Sequence, residues 1–343
     1  MTDFAWGLIG PGAIAHRFAD AVHRLPGTYL HSVWGRDPAR AAGFAAHWAR
    51  QGKPAPQAVG SLEALLADAQ IRAVYIATPH ASHAPFIAQC LQAGKAVLCE
   101  KPLVTNATTA RDLAALARQQ QVFLMEALWT RFLPVYTTVG NWLRNGAIGR
   151  VQAIQATFCF NVPFDAKSRL FDPEAGGGCL LDIGIYIVAM ARWVEQTQTA
   201  QFGAPTIEHA TARFAPSGVE QRVTATLRLA SDIQLQFVCA FDGSADNALQ
   251  VFGEHAHIRI APRFWEAEAA VLERPGHAPE WAHAPHRING FEGEVEEAMR
   301  CIQTGLIESP HMPLADTIAT LDCLDALRAA ISAHGAPRHI PLV

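Results

Sequence analysis

The chain has 343 residues, a length that sets a prior of about two domains, and half of its residues are hydrophobic, enough for sizeable cores. A formal net charge of −4 excludes the basic footprint that nucleic-acid binding needs. Charged residues are only 17%, against roughly 25% in an average soluble protein, which points to surface buried between subunits.

Taken in chain order, Phe4 to Ile9 reads as a strand, Gly10 to Gly12 as a turn and Ala13 to Leu25 as a helix. Tyr29 to Trp34 is a second strand, followed by helices over Pro38 to Arg50 and Leu62 to Ala67. Ala73 to Ala77 reads as a third strand and Ala84 to Ala93 as a helix stopped by Gly94. Ala96 to Cys99, a helix over Thr108 to Gln120, and Val122 to Met125 complete the alternation. Strands alternating with helices predict a parallel sheet with right-handed crossovers. The second half has another rhythm. A strand over Val151 to Phe160 and a helix over Leu180 to Val194 precede consecutive extended segments at 207–214, 223–229, 233–241 and 248–260. Two helices, Glu292 to Thr304 and Ala315 to Ala333, close the chain. The predicted fold class is α/β. A doubly wound Rossmann domain spans residues 1–126, and an α+β domain with an open, mostly antiparallel sheet spans 127–343. A second copy packed on the open sheet would explain the low charge, so a homodimer or higher homo-oligomer is expected.

No long apolar run of about 18 residues occurs, so no membrane span is expected. Met1-Thr2-Asp3 has no basic n-region, and no secretory signal is expected. The seven cysteines form no Cys-x-x-Cys pair and read as reduced residues of a cytoplasmic protein. The histidines show no His-x-x-x-His spacing, so no metal site is expected.

Four groups of residues can carry chemistry. Gly10-x-Gly12-x-x-Ala15 lies between strand and helix, where glycines let backbone approach a pyrophosphate and the helix start at Ala13 and Ile14 offers N–H donors. Trp34-Gly35-Arg36-Asp37 ends the second strand, facing the adenine-side ribose. Arg36 there would bind a 2′-phosphate while Asp37 caps the helix starting at Pro38, so NADP is favoured over NAD. Thr78-Pro79-His80 closes another strand. Thr78 is placed to touch the nicotinamide ribose, and His83 reads as a structural hydrogen-bonding residue. Glu100-Lys101-Pro102 ends a buried strand, with proline fixing the turn that aims the lysine at a bound cofactor. In the second half, Gly176 to Gly178 precede Asp182 and Tyr186, which share one helical face. The glycines would admit a ligand or the other domain. Two readings of Tyr186 stand here, a core tyrosine and an acid/base whose phenol, pKa about 10, is lowered by a nearby ammonium such as Lys101.

Together these segments resemble the Gfo/Idh/MocA oxidoreductase family. The shared blocks are Gly7 to Gly12, Thr78-Pro79 with His83, Gly94 to Pro102, and Gly178-x-x-x-x-Asp182-x-Gly184. Most of the family has histidine where this chain has Tyr186. Within the family the chain is similar to the dimeric dihydrodiol dehydrogenase and NADP-dependent D-xylose dehydrogenase branch, through Met125 to Pro134 and Leu181 to Tyr186. The resemblance implies NAD(P) binding, with Glu100, Lys101 and Trp129 among the cofactor-binding residues, Tyr186 as general acid/base, Lys101 as its pKa-lowering partner, and Asp182 as a further catalytic candidate that hydrogen-bonds substrate or orients Lys101. It implies a small-molecule pocket lined by Trp129, Phe160 and Trp265, with aromatic walls suited to an alicyclic diol or a sugar face. Packing roles for Trp129 and Trp265 remain alternatives, and Arg131 binds cofactor phosphate or amide, or else pairs with Glu126. The function this implies is NADP-dependent hydride transfer at a hydroxyl or carbonyl carbon. The alternative is a catalytically silent NADP(H)-binding redox sensor.

Overall fold

Four apolar runs of the N-terminal part, 4–9, 73–76, 96–100 and 124–127, become strands with every residue buried, as a parallel sheet flanked by helices requires. In chain order the elements are β1 (Phe4–Ile9), α1 (Ala13–Arg24), β2 (Thr28–Trp34), α2 (Pro38–Trp48), β3 (Gln57–Ala58), α3 (Leu62–Ala67), β4 (Ala73–Ile76), α4 (His83–Gln92), β5 (Ala96–Glu100), α5 (Ala107–Gln120) and β6 (Leu124–Ala127). The computed structural model describes residues 3–49, 53–199, 203–260 and 262–333. The sheet order β3-β2-β1-β4-β5-β6, parallel throughout, is the doubly wound arrangement the alternation predicts. Its order reverses between β1 and β4, where ligands bind in open α/β sheets. Strand β3 departs from expectation: Gln57 and Ala58 are both exposed and carry no apolar pattern. Ala73–Ile76 is therefore the fourth strand, not the third. The expected end of α2 at Arg50 lies outside the described residues.

The second sheet is built from α6 (Pro134–Arg144), β7 (Val151–Cys159), α7 (Ile185–Gln198), β8 (Thr206–Phe214), β9 (Glu220–Arg228), β10 (Gln234–Ala240), β11 (Leu249–Gly253), β12 (His257–Ile260), β13 (Ala269–Glu273) and β14 (Glu280–His283). Its order is β14-β13-β12-β11-β7-β10-β9-β8. Every pair is antiparallel except β7 with β10. The segment 248–260, expected to be one extended run, is a hairpin. Gly253 N donates to the Ala256 carbonyl at 2.9 Å and the chain doubles back. Alternation sorts the faces. Ile154, Ala156, Phe158, Val223, Ala225, Leu227, Leu235 and Phe237 are buried on one side, and α6 and α7 pack on this sheet. The other side carries polar groups such as Gln155 and Gln236, whose amides hydrogen-bond at 3.1 Å. Among the described residues no helix is long and apolar enough to cross a membrane.

Two helices follow, α8 (Glu292–Gln303) and α9 (Leu314–Ala333). By packing, the chain forms two compact units: Met1–Phe132 with His286–Thr317, and Leu133–Pro285 with Ile318–Val343. The first unit is thus discontinuous in sequence. Within it, Leu124 N donates to the Ile307 carbonyl at 3.1 Å. The loop before α8 is organised by one carboxylate. Glu292 accepts from the backbone N–H groups of Arg287, Ile288, Asn289 and Gly290 at 2.7–3.1 Å. Burial opposes its charge, but the converging donors win and its pKa is lowered.

Glu292→Ala should therefore lower the free energy of unfolding by about 3 kcal/mol, because one buried and three part-buried N–H groups lose their acceptor. A depressed carboxyl contributes fully above its unfolded pKa of about 4.3, and the contribution is lost as pH falls through the lower folded value. Urea unfolding at neutral pH and again at about pH 3 should show the difference shrinking in acid.

Candidate active site

At the β1–α1 turn, Gly10 has φ of +93°, and a Cβ there would lie 2.8 Å from the Ala77 carbonyl oxygen and the Thr78 Cγ2. Only glycine fits such a turn. Gly10 N donates to the Trp34 carbonyl at 2.9 Å, binding the turn to the end of β2. Pro11 packs so closely on Gly35 that a Cβ there would meet its Cδ at 2.7 Å. Gly12 then caps α1 with no side-chain hydrogen bond, and Ala13 and Ile14 begin the helix exposed. At the end of β2, Asp37 accepts from Ala39 N and Arg40 N at 2.9 and 3.2 Å, capping α2 as expected. Arg36 beside it is exposed.

The ends of β4 and β5 are joined by His83. Its Nε2 meets the Thr78 carbonyl at 2.8 Å and its Nδ1 the Pro102 carbonyl at 2.9 Å. The ring is fully buried, and burial lowers its pKa against the two carbonyls, which favour the charged form. His83 is therefore the structural hydrogen-bonding residue anticipated. Glu100 is buried and accepts a short hydrogen bond from the Tyr75 hydroxyl. Burial and the Glu100 charge push that phenol's pKa well up. Lys101 follows, half-buried, with a cis peptide bond to Pro102. The Thr78 Oγ1 is buried without a hydrogen-bond partner among the described residues. A buried hydroxyl ordinarily has one. The glycine turn, the helix start and this hydroxyl fit a dinucleotide at the switch point of the sheet.

Beyond β6 the same unit holds Trp129 and Arg131. Trp129 is buried against Phe291, ring centroids 5.1 Å apart, with the Arg17 guanidinium 4.2 Å from its centroid. The Arg131 guanidinium donates to Asp316 at 2.6 Å. Glu126, the pairing partner weighed above, instead accepts from Leu103 N at 2.9 Å and Thr317 Oγ1 at 2.8 Å. Burial raises the Glu126 pKa.

In the second unit, the glycines before Asp182 admit their own chain. A Cβ on Gly177 would meet the carbonyls of Leu170, Arg169 and Asp172 at 2.7–2.8 Å, and one on Gly178 would meet Glu220. The room expected for a ligand or another domain is filled by these neighbours. The helix expected from Leu180 opens as a π turn, Leu180–Gly184, before α7. Such turns concentrate at functional sites. Asp182 lies in it, 5% exposed, and accepts from Arg169 at 3.1 Å. Tyr186, in the first turn of α7, is 6% exposed and 5.7 Å from Phe158 by ring centroids. Phe158 stacks on Trp265 at 3.5 Å and 5° and lies 6.1 Å from Phe160. Tyr186, Phe160 and Trp265 are thus gathered around one ring that the sequence reading missed. Phe158 in β7 and Phe160 just beyond its end are two residues apart, the alternation that could have revealed it. Arg169, in an irregular segment, carried no comparable signal.

A family model described as an oxidoreductase family with NAD-binding Rossmann fold matches residues 4–128. A second, the GFO/IDH/MocA C-terminal domain, matches residues 136–259. The trans-1,2-dihydrobenzene-1,2-diol dehydrogenase of Mus musculus is 34% identical over 335 residues, covering 95% of this chain and 96% of its own. The structure is similar to that of a 3-ketoreductase from Actinomadura kijaniata in complex with NADP and TDP-benzene. Its TM-score is 0.83 at 26% identity, covering 96% of this chain and 98% of that one. An aldose-aldose oxidoreductase from Caulobacter crescentus shares the fold, with TM-score 0.85, 22% identity and coverage of 97% and 98%.

Gly10→Ala should leave a folded protein with dinucleotide affinity reduced at least about a hundredfold, since the added methyl meets backbone in a left-handed turn. Titration of NADPH fluorescence checks this, and wild-type affinity in the variant would contradict the assignment of the turn.

Proposed function

The chain belongs to the Gfo/Idh/MocA oxidoreductase family, and on that premise we propose that it is an NADP-dependent dehydrogenase of sugars or trans-dihydrodiols. In this reading hydride passes between the nicotinamide and a hydroxyl or carbonyl carbon, with Tyr186 as acid/base. The observation that carries it is Tyr186 itself, a phenol at the head of α7 beside Phe158, which in turn neighbours Phe160 and stacks on Trp265. A core tyrosine needs no such company of a half-buried indole and an ion-paired carboxylate in the preceding turn.

NADP supplies the nicotinamide carbon that takes or returns hydride. Gly10, Gly12, Ala13 and Ile14 would hold its pyrophosphate, and Thr78 and Pro79 its nicotinamide ribose. Arg36 would take the 2′-phosphate. Asp37 supports that preference, because its Oδ1 accepts from the Ala39 and Arg40 N–H groups as a helix cap. In oxidation Tyr186 takes the substrate hydroxyl proton, and in reduction it gives the proton back. Lys101 stabilises the phenolate, an effect strongest where water is excluded. Glu100 holds the strand end from which Lys101 departs, and Asp182, with Arg169, would orient the turn before Tyr186 and hydrogen-bond substrate. Trp129, Phe160 and Trp265 offer apolar walls to a ring or a sugar face. The mouse relative, named for a trans-dihydrodiol, supports that substrate class.

Tyr186→Phe should reduce kcat by about 10²–10⁴-fold while leaving NADPH affinity within about twofold. Steady-state turnover together with NADPH titration checks this. A variant that kept most of its kcat would remove Tyr186 from the proton transfer.

A further inference from the structure

Arg17 is half-buried on α1, where the sequence offers it no role. The structure ties it down twice. Its Nε and Nη2 both donate to the Asn289 carbonyl, at 3.0 and 2.6 Å. The Asn289 side-chain amide in turn donates to the Arg17 carbonyl at 2.9 Å and to Asp20 at 3.1 Å. The guanidinium so held lies 4.2 Å from the Trp129 ring centroid and 5.4 Å from that of Phe291. Asn289 is itself fixed, because its N–H is one of those gathered by Glu292, and Phe291 N donates to its Oδ1 at 3.1 Å.

We propose that Arg17 is a positioning residue that fixes the plane of the Trp129 indole and thereby sets affinity for the ring or sugar face of the substrate. The proposal rests on the reading of Trp129 as a substrate wall. A flat guanidinium over an indole is attracted by the ring quadrupole. The stack is geometrically specific only if the guanidinium cannot turn, and two donors on one carbonyl prevent turning. An ammonium could not reproduce this, having neither the plane nor the paired donors. Arg17 also sits on the helix that follows the glycine turn, so a direct contact with cofactor phosphate is the competing role. That role would use guanidinium hydrogens other than the two donated to Asn289, so NADPH affinity is the readout that separates the two roles.

The test compares Arg17→Lys, Arg17→Ala and Asn289→Ala with Trp129→Ala in the full-length enzyme. The readouts are KM for a trans-dihydrodiol, kcat and the NADPH dissociation constant. All three strap variants should raise KM about tenfold, with kcat and NADPH affinity within about twofold. The lysine variant keeps the charge and guards against simple loss of folding. A parallel loss of NADPH affinity in the Arg17 variants would overturn the proposal in favour of cofactor binding. Unchanged KM in the strap variants, with KM raised in Trp129→Ala, would overturn it while leaving Trp129 as a substrate wall. Unchanged KM in Trp129→Ala would overturn both.

Discussion

The missing side chain at Gly10 is the constraint on which the cofactor half of the molecule depends. With φ of +93° and a carbonyl where a Cβ would stand, β1 can turn directly into α1 against the end of β4. Any side chain would push the helix start away from Thr78 and open the switch point of the sheet. Because the turn is tight, Gly10 can also donate to Trp34 and bring the end of β2, with Arg36 beyond it, to the same edge.

A second layer of fixation carries that edge to the lysine. His83 lies between the ends of β4 and β5, its two ring nitrogens 2.8 and 2.9 Å from the Thr78 and Pro102 carbonyls, and the neutral ring donates to one of them. Tyr75 and Glu100 anchor the strand end just before Lys101. These are buried polar groups satisfied by one another, the condition under which such a network rigidifies a site rather than weakening it. In the other unit, beside Tyr186 stands Phe158, itself stacked on Trp265, and the Arg169–Asp182 ion pair lies at the turn before it.

The strands β1, β4 and β5 were legible because each is buried on both faces and so reads as an unbroken apolar run. Gly10, Thr78 and Lys101 were legible because they sit at the ends of those runs. Helix α6 was not: Val135, Thr137, Thr138 and Val139 favour a strand locally, and tertiary burial of Tyr136, Val139, Trp142 and Leu143 overrides them. Strands β13 and β14 were missed because they are short and only Ala282 is buried in the latter. The return of His286–Thr317 to the first unit was not readable either. An amphipathic helix such as α8 shows an apolar stripe without showing which sheet it covers. Phe158 and Arg17 gave no signal in the sequence, because their partners lie far away along the chain.

The most direct test is wild-type turnover, followed by cofactor absorbance, with NADP⁺ and NAD⁺ against a trans-dihydrodiol, D-xylose, D-glucose and other aldoses. The account predicts reduction of NADP⁺ by at least one of these classes, with NAD⁺ clearly the poorer acceptor. NADPH binding without oxidation of any substrate in the panel would contradict it and leave a cofactor-binding protein without turnover.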